Sequence, residues 1–126
     1  MVFVYIFLAS FLINLLWENA HAPLYAHHLA SKITEKTLVV ASLGDAVILT
    51  TIAIVFYLTP SLRERLWIAI PVGLSVAIII ELYALLVHRW AYNEHMPIIP
   101  FLGIGLTPTI QLAITGYIIL KFFLKG

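Results

Sequence analysis

Glu18 and His21 stand three residues apart in "NLLWENAH", a spacing that sets a carboxylate and an imidazole on one face of a helix. Asn14 and Tyr25 extend the stripe at i, i+4, i+7 and i+11. Asp45 follows Ser42 by three residues, and Glu81 precedes His88 by seven, again one helical face each. Two chemistries suit this set. In helical-bundle carboxylate proteins, Glu-x-x-His pairs and further acids hold metal ions. Imidazole with carboxylate suits zinc, iron or manganese, so Glu18, His21, Asp45 and Glu81 are candidate ligands of a divalent metal, with His88, Glu94 and His95 as further donors. The metal-free chemistry is acid–base. Clustered carboxylates repel one another and lose solvation, which favours a proton held among them. Such an acid beside His21 or His88 can serve as general acid or base. Asn14, Tyr25, Arg89, Tyr92 and Gln111 are then candidate substrate contacts, with Arg89 and Tyr92 holding an anionic headgroup. The chain has no cysteine, which removes thiolate nucleophiles, thiolate metal sites and disulfides.

The elements that position these residues are set by composition. Of 126 residues, 63% are hydrophobic and 10% charged, far below the roughly 25% charged of a soluble domain. Four apolar stretches, about 2–25, 37–58, 66–88 and 98–120, each reach the roughly 20 residues that a helix needs to cross a bilayer. The expected fold is all-α: one integral membrane domain over 1–126, a four-helix transmembrane bundle. Barrel strands alternate over about ten residues, which these continuous runs do not. "AHA" at 20–22 resembles a signal-cleavage site. No basic residue precedes the apolar run, however, and Pro23 follows the would-be cut, so a retained helix is expected. Seven Lys and Arg against six Asp and Glu leave no basic patch for nucleic acid. Arg63, Arg65, Lys121 and Lys125 on one face outnumber Lys32, Lys36 and Arg89 on the other, which favours cytoplasmic termini.

The polar residues are less evenly divided. All five histidines and five of the six acids gather at the end formed by the first and third connections. At 1.5 Å per residue, Glu18 lies about 10 Å below Tyr25, Glu81 about 10 Å below His88, and Asp45 about 12 Å into the second helix. Three acids thus reach one depth on three helices, where a charge is costly and faces protein or water. Asn14, Ser42 and Thr51 also fit interhelical hydrogen-bonding, and Gly44 a close helix approach. Pro23 is expected to kink the first helix by freeing the Asn19 carbonyl. The stretch "MPIIPFLGIG" should not be helical. Thr107 reads as an N-cap and Pro108 as the first position of the regular fourth helix. The third connection is thus predicted to re-enter the membrane and roof a pocket, with Gln111 one turn inside. Trp17, Trp90 and Tyr92 also fit a headgroup belt.

"WE" late in the first helix, "GDA" in the second, an acid in the third and "RWAYNEHMP…GLTPTIQ" resemble a group of uncharacterised small bacterial membrane proteins. The resemblance covers most of the chain; it implies four helices and no activity. In size and layout the chain also resembles the small multidrug resistance transporters, though Asp45, Glu81 and the third connection depart from their single central acid. Three readings follow in order. The first is a membrane-embedded enzyme, metal-dependent or acid–base, acting on a lipid-like substrate. The second is a proton- or cation-coupled carrier of small amphipathic molecules working as a homo-oligomer. The third is a non-catalytic subunit whose polar groups only join helices.

Overall fold

The computed structural model describes residues 1–28 and 34–124, with all their side chains except those of His27 and His28. Lys32 and Lys125, counted in the charge balance, lie outside the described residues. Four long helices account for most of the chain: α1 (Val2–His21), α2 (Glu35–Leu58), α3 (Ala69–Leu86) and α4 (Leu106–Leu124). With their flanking 3-10 turns, all four are long and apolar enough to span a membrane. The protein is an all-α, multi-pass membrane protein.

Burial runs inside-out, as lipid solvent requires. α1 buries Ser10, Asn14 and His21 while exposing Leu8, Leu12 and Leu16. The polar stripe is the packed face, and the leucines meet acyl chains. α3 carries Ala69, Gly73, Ala77, Glu81 and Ala84 as its buried line. Small side chains there let α4 approach closely. A methyl at Gly73 would lie 2.7 Å from the Ala113 backbone, whereas one at Gly44 would meet nothing within 4 Å. The close approach expected at Gly44 is therefore at Gly73.

α2 packs on α1 and α3 on α4, with α1 and α4 meeting in the middle, so α2 and α3 are the outer pair. The apolar core, including Ile6, Phe56, Leu66, Ile119 and Leu120, fills the end away from Glu18, Asp45 and Glu81.

The helix ends decide which residues reach the site. α1 stops at His21, and a 3-10 turn containing Pro23 turns the chain into strand β1 (Tyr25–His28). Pro23 thus terminates the helix instead of kinking it, and Tyr25 is a strand residue beyond the helical stripe. β1 pairs antiparallel with β2 (Trp90–Tyr92), matching Tyr25 to Tyr92, His27 to Ala91 and His28 to Trp90. Asn93 secures the pair: its backbone N–H donates to the Leu24 carbonyl at 2.9 Å and its side chain to that of Pro23.

α2 is capped by Thr34, whose side chain accepts the Thr37 N–H at 3.4 Å. It ends before Pro60, where the residue preceding a proline avoids helical geometry. α3 ends at Leu86, short of His88. His88 takes φ 58 and is exposed, while the N–H groups of His88 and Arg89 donate to Leu85 and Ala84 at 3.2 and 2.7 Å. This is the closing pattern that usually employs glycine in the left-handed position.

The third connection, 87–105, contains no helix. Past β2, Ile99 N–H donates to Ile104 at 2.9 Å and Leu106 N–H to Pro97 at 2.7 Å, closing a loop whose tip exposes Phe101. α4 begins at Leu106, so Thr107 sits inside its first turn and is not the N-cap. Pro108 is tolerated there because that turn lacks N–H partners in any case.

Candidate functional site

Gln111, one turn into α4 and buried, is the hub of the polar end. Its amide nitrogen lies 2.9 Å from Asn14 Oδ1, 2.9 Å from Glu18 Oε1 and 3.0 Å from Asp45 Oδ2. One side chain of α4 thereby joins α1 and α2. Asn14 is held by its own donation to the Ser10 carbonyl at 2.8 Å, and Thr115 Oγ1 lies 3.4 Å from Asn14 Oδ1. Glu18 and Asp45 are thereby brought to the same amide nitrogen.

The other Glu18 oxygen lies 3.0 Å from His21 Nε2, and His21 Nδ1 lies 3.0 Å from Thr107 Oγ1. Thr107 Oγ1 also lies 3.4 Å from Met96 Sδ. Both imidazole nitrogens are engaged, and the ring is buried. A chain of contacts therefore runs from the third connection through α4 and α1 to α2.

Glu81 is held separately. Trp90 Nε1 donates to its Oε1 at 3.3 Å and Tyr92 Oη donates to the same oxygen. The Tyr25 ring lies between the two groups, with centroids 5.2 Å from His21, 5.4 Å from Tyr92 and 6.2 Å from Trp90. Burial first, and then the charges of Glu81 and Glu18, push the Tyr25 phenol well above its ordinary range. Burial and the hydrogen bond to Glu81 do the same for Tyr92. Both phenols stay protonated, so Tyr92 is a fixed donor to Glu81.

The three acids border one cavity of about 800 Å³. Glu18, Gln111 and Leu112 line its floor, α2 and α3 its walls, and Tyr25 and Trp90 also face it. Lys36 and Arg89 stand on its rim, at the start of α2 and just past α3.

Of the residues expected from sequence, Asn14, Glu18, His21, Asp45 and Gln111 form one hydrogen-bonded group, with Glu81, Tyr25 and Tyr92 beside it. His88 is exposed in a left-handed turn, outside this group. Tyr92 is bound to Glu81, while Arg89 is exposed just past α3. Glu94 and His95 are paired with each other at 3.7 Å, both strongly exposed. Among the described residues, no three His, Asp or Glu side chains are grouped as a metal-holding set. Ser42 and Thr51 donate to the carbonyls of Leu38 and Val47 in their own helix, and do not bridge helices through these bonds.

Sequence reasoning missed Thr107 and Met96 as supports, and assigned Trp90 to the headgroup belt. A signal for Trp90 existed: residues two apart share one face of a strand, and Trp90 and Tyr92 bind one oxygen. Comparison with protein-family models, curated proteins and solved structures finds no match to this chain.

Proposed function

We propose that the protein is a membrane-embedded enzyme performing acid–base chemistry on a lipid-like substrate, with Glu18, His21 and Asp45 as its proton-handling groups. The observation that carries this reading is the single Gln111 amide nitrogen with three acceptor oxygens within 3.0 Å. That nitrogen has two hydrogens. Two hydrogens cannot satisfy three acceptors along straight lines, and a buried unsatisfied acceptor is costly. The shortage is relieved if Glu18 and Asp45 share one proton, because a protonated carboxyl donates as well as accepts.

Asp45 and Glu18 both face the cavity, so that proton is available to a bound molecule. When it leaves, negative charge grows on the pair. His21 supports that charge by donating from Nε2 to Glu18, with Thr107 orienting the ring from its other nitrogen. Return of a proton from the substrate reverses the step, the exchange expected of a general acid–base pair. Glu81 remains oriented by Trp90 and Tyr92 on the α3 side of the cavity. The acid–base form of the enzyme is favoured over the metal form because both His21 nitrogens are already in hydrogen bonds.

The test incubates purified protein with a total membrane-lipid extract in deuterated water and follows the lipids by mass spectrometry. A lipid that gains deuterium or changes mass with the wild type, and not with Glu18→Gln or Asp45→Asn, is the expected result. If no lipid changes in any sample, the enzyme reading fails.

A further inference from the structure

The cavity's charge layout identifies the class of molecule it takes. We infer that it receives an amphiphile with an anionic head, which enters sideways between α2 and α3, rests its head on Lys36 and Arg89, and presents its chain to the acids. This rests on the enzyme reading only for what happens next; the binding itself is independent of it.

Two observations carry the inference. The first is the lateral wall. Val40 on α2 and Ile79 and Tyr83 on α3 line the cavity and are 60%, 68% and 60% exposed. Ile48 and Ile80 continue the apolar surface inward. Because α1 and α4 form the middle of the bundle, the space between α2 and α3 faces the acyl chains. A hydrocarbon tail can pass there without crossing a polar barrier.

The second is the segregation of charge. Lys36 and Arg89 come from opposite walls and share the rim, and among the described residues neither makes an ion pair. The acids lie deeper: from Lys36 to Asp45 the helical rise is about 13 Å. An anionic head beside the acids would be repelled, whereas at the rim it meets two cations and forms charge-assisted hydrogen bonds. A molecule held in this way puts its chain, about a dozen ångströms below its head, against Asp45 and Glu18. The group acted on therefore belongs to the chain.

The experiment uses Trp90, which faces the cavity, as a reporter. In a Trp17→Phe, Trp67→Phe background it is the sole tryptophan, since the chain has three. Protein in neutral-detergent micelles is titrated with 9,10-dibromostearate, and separately with the uncharged dibromostearyl alcohol and the cationic dibromostearylamine. The expected result is saturable quenching by the acid at a concentration at least 10-fold below that for the alcohol. Lys36→Gln with Arg89→Gln should erase the difference, and Lys36→Glu with Arg89→Glu should shift the preference to the amine. Ile79→Trp, placed on the wall in the reporter background with Trp90→Phe, should itself be quenched by the acid. Equal quenching by acid and alcohol in the reporter protein, or a preference for acid that survives charge reversal, overturns the inference. The readout needs no turnover: charge-selective quenching without any altered lipid leaves this inference standing and removes the enzyme reading.

Discussion

The amide of Gln111 on the last helix donates to the carboxylate of Glu18 on the first, with 2.9 Å between the heavy atoms. The same nitrogen reaches Asn14 and Asp45. Three of the four spanning helices are therefore joined through one side chain at the polar end.

Gln111→Ala should destabilise the bundle by about 1–2 kcal/mol, the upper range for polar groups between membrane helices. It strands several acceptors at once, which exceeds the loss of one ordinary bond. Thr51→Ala, which removes only a bond to the Val47 carbonyl of the same helix, should change stability by less than about 0.5 kcal/mol. Unfolding in mixed micelles measures both. Equal effects from the two would deny Gln111 its place as a hub.

Stability should fall in alkaline solution through Tyr25 and Tyr92. Their phenols are raised in the folded protein, so the folded state keeps two protons that the unfolded chain gives up. The contribution is intact below the ordinary phenol value of about 10 and is lost as pH rises above it, by up to about 1.4 kcal/mol per pH unit for each group. Tyr92→Phe should flatten that decline. A decline of unchanged slope in the variant would show that Tyr92 ionises freely.

Two glycines should respond in opposite ways to alanine. Gly73→Ala pushes a methyl onto the Ala113 backbone and should separate α3 from α4, at a cost of roughly 1–3 kcal/mol. Gly44→Ala meets nothing and should gain up to about 1 kcal/mol from helix propensity. The two melting curves, recorded in one detergent, decide the matter.

His88→Gly should stabilise the end of α3 by about 1 kcal/mol, because His88 occupies a left-handed conformation that costs a side chain roughly that much. Lipid conversion should survive the change. Loss of conversion would give His88 the catalytic part that its residue type suggested.

A proton-coupled carrier would use the same carboxyls. It predicts uptake of an amphiphilic cation into sealed vesicles, driven by a pH gradient and abolished by Glu18→Gln. Uptake without any altered lipid would move the protein to that second class.

The four helices were legible because lipid demands long apolar runs and leaves few alternatives. The Asn14–Glu18–His21 stripe was legible because helical periodicity is local. Tyr25 met the group for a different reason: it lies past the helix, and its ring is brought back by pairing with β2. That pairing joins residues more than sixty positions apart, and nothing near Tyr25 in sequence encodes it. Trp90 and Tyr92 were hidden for the same cause. His88 was misplaced because a histidine fills the helix-ending position where a glycine would have announced the stop.

The joining of the first and last helices also constrains how the protein is made. Glu18 precedes Gln111 by 93 positions and so enters the bilayer before Gln111 emerges from the ribosome. In the interval His21 is its partner within the helix, and the second helix adds Asp45, the other acid destined for the same Gln111 nitrogen. The first helical hairpin must therefore carry its acidic pair through insertion on its own resources, and arrival of the last helix closes the polar end around it.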